Sequence, residues 1–141
     1  MKKLFIISAF LLLLSCEKEG ELTRTKVEPI VVPENSIPKY DGVFTPTSGI
    51  NVTGSVKISS SQNQYILELV NFSISDGPDL KVYLSKANTP SEFVNLGNLT
   101  AARMYAIPQT VDVSAYTHVL IHCQQYNHLF AIAPIEITKN N

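Results

Sequence analysis

The stretch of sequence richest in chemically versatile side chains places one cysteine among three histidines, at His118, His122, Cys123 and His128. Imidazole and thiolate are ligands that zinc prefers. If the stretch is a strand, however, His118 and His122 lie roughly 13 Å apart at about 3.3 Å per residue, too far to share one ion. His122 and Cys123 point to opposite faces, and only His128, on the following strand, could approach either of them. We therefore expect no metal site built from protein ligands alone.

Cys123 itself admits two interpretations. In a strand it shares a face with apolar neighbours, which favours a buried thiol that acts as a small apolar side chain. A redox or nucleophilic thiol instead needs an exposed, electropositive setting, often with a positioned base. A thiol on an apolar face can still be reactive if Cys123 is only partly buried beneath a cleft. We expect such a cleft beside the Asp76–Asp79 turn or beside Tyr126 and Phe130.

No other part of the sequence carries a recognisable catalytic motif, whether paired carboxylates, a nucleophile elbow or a phosphate-binding glycine loop. Asp76-Gly77-Pro78-Asp79 supplies two carboxylates, but Gly and Pro at its centre are typical of a tight turn. Calcium would need further ligands from distant loops. We expect the chain not to be an enzyme, and to be at most an electron-transfer component.

The other cysteine, Cys16, ends a segment typical of bacterial export. Lys2 and Lys3 precede an apolar run that ends at Leu14 and is about half the roughly 20 residues needed to cross a membrane, as in a signal peptide. Leu13-Leu14-Ser15-Cys16 resembles the lipobox, whose cysteine receives diacylglycerol before the signal is removed. We therefore predict a signal peptide over residues 1–15 and a lipidated Cys16. Acyl chains, at about 0.8 kcal/mol per buried CH₂, provide a lasting membrane anchor.

Residues 16–39 follow as a charged, proline-containing tether, and residues 40–141 are expected to form the folded domain. The acidic start of the tether resembles a sorting signal of surface lipoproteins, so we expect the protein in the cell envelope, on the outer membrane and exposed at the surface. Its partners would be that membrane and a redox or binding protein. Lipidation of Cys16 leaves Cys123 as the only thiol, which excludes an intramolecular disulfide.

Charge argues against nucleic acid as a partner. Removing Lys2 and Lys3 from the 11 basic residues leaves 9 basic residues against 12 acidic ones. This mildly acidic balance, without basic clusters, is unlike that of nucleic-acid-binding proteins.

The folded part shows a period of two in its apolar residues, as in half-buried strands. Turn signals separate these runs roughly every ten residues, and no long helical period is present. The pattern predicts an all-β domain, an antiparallel β-sandwich or partly open barrel of about 8–10 short strands. The inward-facing residues are expected to include Leu80, Val82, Leu84, Val119 and Ile121.

Two segments of the folded part are distinctive: Gly77-Pro78-Asp79-Leu80, continuing through Tyr83-Leu84-Ser85, and the strand from Val119 to Cys123. Together with further segments between residues 40 and 137, they resemble the DM-thirteen domain. The resemblance implies a β-rich extracellular module, proposed to act in electron transfer through its cysteine, as a bare thiol or as a ligand to a group such as haem. By that resemblance the redox role falls on Cys123. His122 replaces the usual aromatic residue of the family.

Two functions follow as expectations. The first is a lipid-anchored extracytoplasmic protein with a redox role centred on Cys123. The second is a non-catalytic β module that binds a ligand or protein from the end of a lipid-anchored stalk. A Cys123 buried without polar neighbours would favour the second.

Overall fold

The computed structural model describes residues 29–140, and nearly all regular structure in this range is β-strand. The only helical element of these residues is a 3-10 turn, Val113–Ala115. The strands are β1 (Ile37–Val43), β2 (Thr45–Pro46), β3 (Val52–Ser61), β4 (Gln64–Ile74), β5 (Leu80–Ser85), β6 (Phe93–Asn98), β7 (Met104–Ile107), β8 (His118–Cys123), β9 (His128–Pro134) and β10 (Glu136–Ile137).

The strands form two antiparallel sheets of five strands each. The first sheet has the order β10-β1-β3-β4-β7, and the second has the order β2-β9-β8-β5-β6. Neither sheet closes on itself, so the sandwich is confirmed and the partly open barrel is not. The connections from β4 to β5 and from β6 to β7 cross between the sheets at one end of the sandwich.

The hydrophobic core lies between the sheets and receives alternate residues from both. Val56, Ile58 and Leu67 of the first sheet face Val82, Leu84, Val119 and Ile121 of the second, all fully buried. The predicted inward face of β5 and β8 is therefore confirmed, with Leu80 half-buried against the edge of the core. Burial of such side chains stabilises the fold by about 25 cal/mol per Å² of apolar area removed from water.

Gly54 marks an irregularity in the pairing of β3 with β4. The register shifts between Thr53 and Ser55, and Gly54 has a φ of +103°. A Cβ at this position would lie 2.6 Å from the carbonyl oxygen of Val70. The bulge therefore requires glycine both for its backbone conformation and for the close approach of β4.

The predicted signal peptide and Cys16 lie outside the described residues, as does most of the predicted tether. Residues 37–39, which the sequence assigned to the tether, already belong to β1. Within residues 29–140 no helix is long and apolar enough to span a membrane.

Candidate functional site

Cys123 is the last residue of β8 and lies on the inner face of the second sheet. Its neighbours across the sheet are Leu80 of β5 and His128 of β9. The side chain is 0% exposed and belongs to the same apolar core cluster as Phe130. The expected partial burial of Cys123 is therefore wrong. Where β8 pairs with β9, the register shifts so that Phe130 and Ala131 are both buried, and this extra apolar bulk closes the end of the core.

His122 lies on the opposite, outer face of the same strand but is only 5% exposed. Its Nδ1 is buried and has no hydrogen-bond partner. Burial lowers the pKa of His122 below the ordinary histidine value, a shift that the Asn127 side chain opposes and the charge of His128 reinforces. A buried imidazole of this kind is held neutral.

Three rings on the outer face form what we call the aromatic stack: Phe93, Tyr83 and His122. The Phe93 and Tyr83 centroids are 4.1 Å apart with an interplanar angle of 18°, and the Tyr83 and His122 centroids are 5.3 Å apart at 27°. Phe93 is 42% exposed on β6, the edge strand, whereas Tyr83 is buried. Burial also raises the pKa of Tyr83, which keeps its hydroxyl protonated. The stack runs from the solvent to the residue that precedes Cys123.

Of the other two histidines, His128 lies beside this position and His118 does not. His118, at the other end of β8, has its Nδ1 2.7 Å from the hydroxyl of Thr117, and burial lowers its pKa. His128 is exposed and contacts Phe130 edge-on, with 5.1 Å between ring centroids. Among residues 29–140 no three His, Cys, Asp or Glu side chains are grouped as metal ligands.

A cleft of about 510 Å³ opens at the end of the sandwich where β8 ends. It is lined by residues 73–80 and 98–101 and by Arg103, so the Asp76–Asp79 turn forms one of its walls. Within this segment Pro78 and Asp79 form a turn, and the backbone N–H of Gln124 donates to the carbonyl of Asp79 at 3.0 Å. Leu80 lines the cleft, but Cys123 behind it does not. Tyr126, named as the other border, is 67% exposed and lines none of the described clefts.

Haem, which the family resemblance suggested as a ligand of Cys123, does not fit here. The described clefts do not reach the Cys123 side chain, and its surroundings are close-packed apolar residues. A macrocycle at Sγ would require the core itself to open.

The fold and this site define an antiparallel β-sandwich with a single free thiol in its core. Comparison with protein families gives a match to the family described as "Electron transfer DM13" over residues 44–135. The match covers more than half of the chain, and the chain belongs to this family. No curated protein and no solved structure matches it.

Two elements of the site were missed by sequence reasoning. Strand alternation places Tyr83 and His122 on the outer face, where it predicts exposure, and gives no sign of their stacking. Arg103 stands alone in a loop without a motif. The only signal for the stack was the aromatic character of Tyr83 and Phe93 at positions that β5 and β6 bring together.

Proposed function

We propose that the chain is a membrane-anchored extracytoplasmic lipoprotein whose domain takes part in electron transfer, with Cys123 as the group that is oxidised and reduced. Membership of an electron-transfer family supports the general role, since the matched residues include Cys123. The lipobox before Cys16 and the charged tether support the anchor. On this proposal the domain is held at the outer membrane, facing outward.

The observation that carries the redox part is the aromatic stack next to a buried thiol. Thiol–disulfide exchange requires a partner sulfur to reach Sγ, and the packing around Cys123 blocks that approach. Electron transfer has no such requirement, because an electron can tunnel through packed groups. His122 is bonded to Cys123 through one peptide unit, and Tyr83 and Phe93 continue the path to the surface.

The proposed step is a one-electron oxidation. The Cys123 thiol loses one electron and its proton and becomes a thiyl radical. The electron passes through His122 and Tyr83 to a one-electron acceptor, the metal centre of a redox protein that contacts Phe93. Because Sγ is fully buried, the proton can leave only when the end of β8 opens locally beside the exposed residues 124–127, where water accepts it. The reverse transfer of one electron and one proton restores the thiol.

Photo-oxidation tests the path. The full mature protein is illuminated with a ruthenium tris-bipyridine complex and a sacrificial acceptor and is then frozen rapidly. The thiyl radical is detected by electron paramagnetic resonance, which requires no reagent at Sγ. We expect a thiyl signal in the wild type and its loss in Tyr83→Phe, which preserves the ring but removes the readily oxidised phenol. Tyr116→Phe, away from the stack, is the matched control and should retain the signal. Equal signals in both variants would exclude the path through Tyr83.

The second candidate function is a non-catalytic binding module on a lipid-anchored stalk. The complete burial of Cys123 among apolar side chains favours it, because free cysteine commonly serves as core packing. If the photo-oxidised wild type gives no thiyl signal from Cys123, the thiol has no redox role, and this candidate replaces the first.

A further inference from the structure

The cleft at the end of the sandwich has walls that backbone hydrogen bonds hold in place. On one wall, the N–H of Leu99 donates to the carbonyl of Leu80 at 2.8 Å. Tyr105 fixes the 98–101 segment through its hydroxyl, which donates to the carbonyl of Asn98 at 3.0 Å and accepts from the N–H of Thr100 at 3.1 Å. On the other wall, the N–H of Ser75 donates to the carbonyl of Asn51 at 2.9 Å. The cleft is thus preformed, as most small-molecule sites are.

Arg103 places an uncompensated positive charge in this cleft. Its guanidinium carbon lies 4.9 Å from the centre of the Phe72 ring, a contact that fixes the orientation of the group. Nη1 is buried and donates to no acceptor, and none of the ion pairs of the described residues involves Arg103. The backbone of Arg103 is also held, with a φ of +59° and its carbonyl accepting from Leu69 N–H at 2.8 Å. A planar guanidinium fixed in this way is suited to a carboxylate.

The opposite wall carries two carboxylates, Asp76 and Asp79, and only one of them forms an ion pair. Asp79 is neutralised by Lys81, with Nζ 2.8 Å from its carboxylate. Asp76 is exposed and takes part in no ion pair among the described residues. The cleft therefore presents one available cation and one available anion, together with the hydroxyl and amide groups of its serine, threonine and asparagine residues.

We propose that this cleft binds a small zwitterion of the amino acid or short peptide class. Arg103 would hold its carboxylate, Asp76 its ammonium group, and Leu80 and Leu99 would contact its apolar part. The volume of about 510 Å³ lies within the range of small-molecule sites, roughly 300–1,000 Å³. A ligand with a single charge would leave either Arg103 or Asp76 uncompensated. The proposal goes beyond the electron-transfer role and does not depend on Cys123.

Equilibrium dialysis of the detergent-solubilised mature protein tests this site, with radiolabelled leucylglycine as the probe and acetate and methylammonium as competitors. We expect saturable binding of the dipeptide and much weaker competition by either single-charge ion. Arg103→Met and Asp76→Asn should each weaken binding by about tenfold or more, which corresponds to about 1.4 kcal/mol. Lys86→Met is the control, because Lys86 also lies over an aromatic ring, that of Tyr116, but outside the cleft.

Three results would overturn the proposal. Absence of saturable dipeptide binding would exclude this class of ligand. Acetate competing as well as the dipeptide would reduce the site to a simple anion site. Equal binding by the Arg103→Met and Lys86→Met proteins would show that Arg103 does not hold the carboxylate. Since Asp76→Asn alters only an exposed side chain, its effect is interpretable even if Arg103→Met fails to fold.

Discussion

Cys123 and His122 are consecutive in the chain but lie on opposite faces of one sheet, the thiol in the core and the imidazole on the outer face. Both are almost completely buried. The thiol is therefore inaccessible to reagents, while its neighbour belongs to a stack of rings that reaches solvent at Phe93. This relationship separates two kinds of chemistry at Cys123, because it keeps reagents away from Sγ and leaves a path for electrons.

The buried face of β5 predicts a large difference between two identical substitutions. Val82→Asp places a carboxylate at a fully buried position and should lower the free energy of unfolding by about 4 kcal/mol. Val43→Asp makes the same change on β1 at a side chain that is 67% exposed and should cost within about 0.5 kcal/mol. Urea unfolding of both proteins measures the difference. Similar losses would contradict the register assigned to β5.

Two glycines with positive φ form a second matched pair. Gly54→Ala combines a φ of +103° with a Cβ within 2.6 Å of a carbonyl oxygen of β4, whereas Gly49→Ala, at +80°, has no atom within 4 Å. Gly49→Ala should cost only the backbone strain, about 1–2 kcal/mol, and Gly54→Ala clearly more. Thermal unfolding followed by circular dichroism compares them, and equal costs would mean that β3 relaxes away from β4.

The two shielded histidines predict that stability falls in mild acid. Burial lowers the folded-state pKa of both His122 and His118. As the pH falls through the ordinary value of about 6.5, the unfolded chain therefore takes up protons that the folded protein does not, and the free energy of unfolding decreases. His122→Phe, which retains a ring beside Tyr83, should remove part of this decrease, and His118→Gln another part. Urea unfolding midpoints measured above and below this pH provide the measurement. If the midpoint of His122→Phe falls with pH as steeply as that of the wild type, His122 does not contribute to the decrease.

The anchor makes a prediction that does not involve the sandwich. Cys16→Ala should abolish incorporation of a radiolabelled fatty acid and leave an uncleaved precursor, since lipidation of the lipobox cysteine precedes cleavage. Cys123→Ala is the control and should be lipidated and processed normally. A Cys16→Ala protein of mature size in the soluble fraction would show that the segment is an ordinary signal peptide.

Strand alternation was sufficient to predict the all-β class and the inward residues of β5 and β8. It works for the inner face because the residues that alternate toward that face pack directly against the other sheet. It fails at Phe130 and Ala131, which are consecutive and both buried, because a register shift in β9 is not encoded in a period of two. Phe130 belongs to the same core cluster as Cys123, so the shift adds apolar bulk to the part of the core that holds the thiol.

On the outer face of β5 and β8, strand alternation fails as a predictor of burial for a different reason. Leu120, Tyr83 and His122 occupy positions that alternation assigns to solvent, yet all three are buried. Contacts between side chains on adjacent strands help to produce this burial, as in the stacking of Tyr83 on Phe93, and they depend on which strands become neighbours. The same holds for Arg103, whose place in the cleft arises only when the β4–β5 and β6–β7 connections meet.

The central claim is that Cys123 exchanges electrons although reagents cannot reach its Sγ in the folded protein. The most direct measurement compares, in the folded wild-type protein, the rate of Cys123 oxidation by a ruthenium(III) polypyridyl complex with its rate of alkylation by iodoacetamide, each relative to the urea-unfolded chain. Our account predicts that folding slows alkylation far more than it slows oxidation. Equal slowing of both reactions would contradict it and would leave Cys123 as a packing residue of the core.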